Sequence, residues 1–66
     1  MSVAKVIEII AESDKSWDDA AAQALAEASK SVKNIKNIYV QDMQAIVENN
    51  SITKYRLNAK VTFVVD

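Results

Sequence analysis

Apolar positions along the chain switch between strand-like and helix-like spacing, and each switch marks an element. Residues 3–10, Val3-Ala4-Lys5-Val6-Ile7-Glu8-Ile9-Ile10, are rich in β-branched side chains and predict a strand. Small and charged residues from Ala11 to Lys15 break that run. From Trp17 to about Lys33 the chain is rich in alanine, the best helix former, and Trp17, Ala21, Ala24/Leu25, Ala28, Val32 and Ile35 recur at helical spacing. Ser16-Trp17-Asp18-Asp19 has the spacing of a capping box, which makes Ser16 the expected N-cap. Asp18 and Asp19 then lie at the positive end of the helix dipole, and Lys30, Lys33 and Lys36 at or beyond its negative end.

The second half reads as two further strands, Ile38 to Glu48 and Ile52 to Val65. The last alternates cleanly, with Tyr55, Leu57, Ala59, Val61, Phe63 and Val65 on one face and Arg56, Asn58, Lys60, Thr62 and Val64 on the other. The middle strand does not hold one phase. Ile38 and Val40 share a face, whereas Met43, Ala45 and Val47 fall in the opposite register. One inserted residue near Gln41-Asp42 brings both sets to the core, so a β-bulge is predicted there. Glu48-Asn49-Asn50-Ser51 predicts a tight hairpin, because asparagine tolerates the left-handed backbone better than other non-glycine residues. The element order is βαββ, an α+β fold. The first two strands, joined through a helix, run parallel to each other, and the third runs against the second. An all-antiparallel sheet therefore requires the third strand in the middle, order 1-3-2, with the helix on one face. The other face is mixed, with Val6, Ile10 and Val64 beside Glu8, Arg56, Asn58 and Lys60.

Composition narrows the chemistry. The 66 residues include no Cys, His, Gly or Pro, carry a net charge of −1, and are half apolar. Without cysteine or histidine there is no disulfide framework, no usual zinc site and no Ser-His-Asp triad, and without glycine there is no phosphate-cradling loop. Ser13, Ser16, Tyr39 and Tyr55 supply hydroxyls, but none has a catalytic spacing, so no enzyme is expected. Near-neutral charge argues against nucleic acid as a partner. The longest apolar run is far short of the roughly 20 residues of a membrane helix, and the N-terminus shows no signal-like pattern; a single domain over residues 1–66, soluble and cytoplasmic, is expected. A chain this short buries only about 60% of its unfolded surface. Small domains are usually stapled or assembled, and with no disulfide or zinc staple, self-assembly is expected.

The first strand Lys5-Val6-Ile7-Glu8-Ile9-Ile10, the helix start Ser16-Trp17, the helix Ala20-Ala21-Ala22-Gln23-Ala24-Leu25-Ala26-Glu27-Ala28-Ser29-Lys30, and the closing strand Tyr55 to Val65 together resemble the dodecins. These are very small βαββ proteins that form hollow homododecamers and sequester flavins such as riboflavin or FMN in pockets between subunits. The resemblance covers nearly the whole chain. It implies a flavin-stacking tryptophan at the position of Asn37 and a ring-contacting glutamine at the position of Arg56. This chain departs at both. Asn37 has no π-face, and Arg56 stacks and donates hydrogen bonds but cannot accept one. Tyr39 lies near the same implied pocket, and shares a face with Asn37 if the strand is regular there. The only tryptophan, Trp17, is expected in the core or at an interface. Some relatives lack the stacking residue and serve other ligands, cations among them. The family's usual Gly-Thr-Ser after the first strand is Ala11-Glu12-Ser13 here, which adds a carboxylate. Glu12 and Asp14, with Asp18 and Asp19 nearby, are therefore candidate ligands for calcium, which prefers several oxygen donors. The plainer reading of the same acids is helix capping and a solvated turn.

Overall fold

The computed structural model describes residues 3–65; Met1, Ser2 and Asp66, the ends of the expected 1–66 domain, lie outside the described residues. The order is β1 (Val3–Ser13), α1 (Trp17–Ala28), β2 (Ile35–Glu48) and β3 (Ser51–Val65). The strands form one antiparallel sheet in the order β1-β3-β2, as the connectivity argument requires. The hairpin turn has Asn49 at φ 51° and Asn50 at φ 62°, with Glu48 paired to Ser51. Two consecutive positive φ values are the signature of a two-residue type I′ turn. The bulge is where the phase change puts it. The β2–β3 register slips between Val40 and Asp42, so Ile38 and Val40 oppose Val61 and Ala59, while Met43 and Ala45 oppose Leu57 and Tyr55. Two further slips, at Ile35/Asn37 and Ile46/Val47, were not foreseen.

Element ends differ from the sequence reading. β1 does not stop at Ile10 but continues through Ala11, Glu12 and Ser13, opposite Leu57, Arg56 and Tyr55. The ladder needs only backbone groups, and the Glu12–Arg56 opposition favours the pairing. β2 begins at Ile35 rather than Ile38, and β3 at Ser51. The helix closes at Ala28, short of Lys33. Beyond it the Ser31 and Val32 amides both return to the Ala28 carbonyl, the Ser29 hydroxyl donates to Ala26 O at 2.8 Å, and Asn34 turns the chain at φ 62°. Serine and asparagine offer the backbone such local alternatives to helix. Lys33 and Lys36 therefore lie outside the helix. Lys30 pairs with Glu27 at 3.1 Å, an exposed pair of little energetic weight.

Ser16 is the N-cap, its Oγ accepting from the Asp19 amide at 2.9 Å. The reciprocal half of the capping box is not made. The Asp19 carboxylate instead accepts from Ser13 Oγ and Gln23 Nε2, each at 2.6 Å. The Ser13 hydroxyl first, then the Gln23 amide, hold the Asp19 carboxyl below the ordinary aspartate range; partial burial opposes them weakly and Lys15 adds to the lowering. A depressed folded pKa contributes stability above the unfolded value of about 3.9, and that contribution is lost as pH falls through the folded value. Asp19→Asn is thus expected to lower stability at neutral pH by an amount that shrinks below about pH 4. Thermal melts of both proteins at neutral pH and at successive acid values check this; a constant difference would refute the ionic role.

Ala20, Ala24 and Ala28 form the buried stripe of α1, and their small side chains let the helix sit close on Leu57, Ala59 and Val61 of β3. Among the described residues, only Leu57 and Val61 are large and fully buried. The Trp17 ring meets Tyr55 edge-on, with centroids 4.9 Å apart, and Trp17 Nε1 donates to Gln44 O at 3.1 Å. This ties the helix start to β2 just past the bulge. The helix does not cover its whole face of the sheet. Twelve helical residues span about 18 Å, whereas a 15-residue strand spans about 50 Å. It lies over β1 and β3 and barely reaches β2, so Val40 and Met43, on the helix side, stay exposed, as do Val47 and Ile52 near the hairpin tip.

Candidate functional site

The sheet face away from the helix carries the residues that the sequence singled out. The register places Glu12 and Gln44 on either side of Arg56, with Glu8 and Tyr39 flanking Lys60, and Asn37 beside Thr62. The strand is regular from Asn37 to Tyr39, so these two share this face. They do not meet Arg56. Lys60 is four residues from Arg56 along β3 and Thr62 six, so Tyr39 stands about 13 Å and Asn37 about 20 Å from the Arg56 row. Tyr39 is 63% exposed, and Val6 and Ile10 are exposed on the same face.

Of the acidic candidates, Glu12 and Asp14 line one hollow, while Asp18 and Asp19 lie in the first turn of the helix. Glu12 points onto the open face and is held by Arg56: both Nε and Nη2 reach its Oε2, at 2.7 and 2.6 Å. Its other oxygen, Oε1, is 3.9 Å from Lys54 Nζ. Asp14 is exposed beyond the end of β1 and, with Glu12, Ser13, Gln23 and Lys54, lines a shallow open hollow. Asp18 is exposed in the first helical turn, and Asp19 is engaged by Ser13 and Gln23. Among the described residues of one chain, no three acidic side chains converge on a point that could hold a metal. The Glu12–Arg56–Lys54 group is the element that sequence reasoning missed. Its signal was present, since the 1-3-2 order with a continuous β1 sets Glu12 against Arg56, but it required carrying β1 past Ile10.

A groove of about 390 Å³ runs between α1 and the edge strand β1, floored by Ile7, Ile9, Ala11 and Ala24 and rimmed by Gln23 and Glu27. No helix among the described residues is long and apolar enough to cross a membrane.

The chain is thus a one-helix βαββ unit whose open sheet face mixes charged, polar and apolar side chains. Comparison with known proteins makes this specific: the family model for dodecins matches residues 3–66, and the chain belongs to the dodecin family. Dodecins are binding proteins, not enzymes. The chain is 40% identical over 63 residues to calcium dodecin from Mycobacterium tuberculosis, covering 96% of this chain and 89% of that one. The crystal structure of that calcium-chelating protein, described as having a novel calcium-binding site, matches with a TM-score of 0.85 at 37% identity, over 98% of this chain and 93% of that one. A variant of the Thermus thermophilus dodecin matches with a TM-score of 0.93 over 100% of this chain and 98% of that one, but at 21% identity it shows the fold alone.

Proposed function

We propose that this chain is a small-ligand-binding dodecin that assembles as a hollow homododecamer and takes calcium rather than flavin. The observation that carries the calcium reading is the 40% identity to calcium dodecin across nearly the whole chain. The residues agree in their chemistry. Asn37 offers no ring for a flavin to stack on, whereas Glu12 and Asp14 offer hard carboxylate oxygens of the kind calcium takes. One chain supplies too few of them, since calcium takes six to eight oxygens. Carboxylates or carbonyls of a neighbouring subunit and water would complete the shell. Bound calcium would supply charge that ties acidic turns together, and no reaction is involved. Flavin remains the second reading, favoured by exposed Tyr39 on the open face and by the family resemblance.

A ligand that binds only the folded assembly stabilises it by mass action, by about 2.7 kcal/mol at one hundred times its Kd. Millimolar calcium is therefore expected to raise the melting temperature, and an excess of chelator to reverse the rise. No shift at millimolar calcium overturns the calcium reading. Quenching of riboflavin fluorescence on titration with the protein would replace it with the flavin reading. Native mass spectrometry of the purified protein reports subunit number and bound ligand together; twelve subunits are expected.

A further inference from the structure

The helix leaves an apolar shelf along its β2 flank. Gln23, Glu27 and Ser31 line the groove against β1. Leu25, about 200° round the helix from Gln23, therefore lies on the other flank, toward β2. The bond from Trp17 Nε1 to Gln44 O fixes that flank against the strand. Leu25 is thus a ridge beside a floor of Val40 and Met43, and Val47 and Ile52 extend the floor toward the hairpin tip; all five are 38–59% exposed. The area left uncovered is large. A compact folded chain of 7.3 kDa exposes about 4200 Å². This chain, elongated at 51 × 19 × 14 Å, exposes 4872 Å², an excess of about 700 Å². That is close to the roughly 800 Å² that each partner contributes to a standard interface.

We infer, resting on the reading that the chain self-assembles, that this shelf is covered by the same shelf of a second copy across a two-fold axis at the middle of β2. The surface is self-complementary, because it holds both a ridge and a floor. With the axis at the bulge by Gln41, the two β2 strands run antiparallel, Val40 of one copy meets Met43 of the other, and each Leu25 ridge lies toward the opposite floor. Charge favours the same orientation. Lys36 stands near the start of β2 and Glu48 at its end, both exposed, and among the described residues neither has an ion-pair partner in its own chain. Antiparallel strands bring Lys36 of one copy toward Glu48 of the other, whereas parallel strands would set like charges together. Asp42 points to the open face, opposite Asn58, and stays out of the contact. A self-facing contact closes at two copies, so a twelve-subunit shell needs a further, head-to-tail contact, for which the open face remains.

The chain has no cysteine, so one introduced thiol reports one contact. The test is cross-linking of M43C with a short bismaleimide, read on a denaturing gel, beside sedimentation of wild type and L25D, with circular dichroism to confirm folding. Most of M43C is expected to run as a covalent dimer, and folded L25D to sediment as smaller species than wild type. Wild type near twelve subunits with M43C left uncoupled overturns the inference and leaves the twelve-subunit reading standing. Wild type that stops at a dimer, with M43C coupled, supports the inference and overturns the twelve-subunit reading. A monomeric wild type overturns both. Folded L25D that sediments like wild type also overturns the inference, because the helix ridge is then outside the contact. Should M43C fail to fold, V40C takes its place, since both residues flank the axis: coupling supports the inference, and its absence overturns it.

Discussion

Replacing Leu57 with alanine is expected to lower the melting temperature by more than about 10 °C, the largest effect of any single core substitution in the chain. Leu57 is 1% exposed and lies at the centre of β3, beneath the alanine stripe of α1. Removing a buried leucine side chain typically costs about 2–5 kcal/mol, made up of lost transfer energy and the cavity left behind. A domain of this length has only about 3–10 kcal/mol in total. For small domains each kcal/mol moves the midpoint by about 4–8 °C. The core has little means of compensating. Its other buried apolar members are Ala20, Ala24, Ala28, Ala59 and Val61, mostly single methyl groups that cannot swing into a void. Scanning calorimetry at fixed protein concentration measures the shift, with concentration held because assembly and folding are linked. A drop smaller than about 4 °C would show that Leu57 is not the centre of the core.

The features legible in the sequence are those that depend on one element or on counting. Alternation in β3, the Asn-Asn turn and the phase change at Gln41 are local, and topology then follows from how three strands can close. What was less legible depends on contacts between distant residues. The true end of β1 is decided by Arg56 and Tyr55 opposite it, and the end of α1 by competing bonds around Ser29 and Asn34. The partial cover of β2 follows from comparing a helix and a strand as lengths in space. For the site, the family resemblance implied Asn37, Tyr39 and Arg56 around a pocket between subunits, which the register of one chain does not test. The register puts all three on one face but separates Arg56 from the other two by several residue rows. It also turned Glu12 from a free ligand candidate into half of an ion pair.

Replacing Ile10 with aspartate is expected to convert a large, fast-sedimenting assembly into much smaller species. Among the described residues, large apolar side chains are exposed on both sheet faces and on the helix, including Ile10 at 68%, Val3, Val6, Leu25, Met43, Val47 and Ile52. That is more apolar surface than a lone chain with so small a core keeps in water. Ile10 is the most exposed of them and lies in the middle of the open face, opposite Asn58 and on the same side as Val6. Because Ile10 makes little contact within its own chain, the substitution leaves the intramolecular core untouched. In the proposed assembly its cost is expected to fall on the contact between subunits. Burying an isoleucine contributes about 1.5–3 kcal/mol, and an unpaired carboxylate in its place costs several kcal/mol more. In a closed symmetric shell that penalty repeats at every copy of the interface. Analytical ultracentrifugation of wild type and I10D distinguishes the outcomes. Wild type near twelve subunits and I10D far below it are expected. An I10D protein sedimenting like wild type would mean that the open face lines free solvent in the assembly, and that the helix side carries the subunit contacts instead.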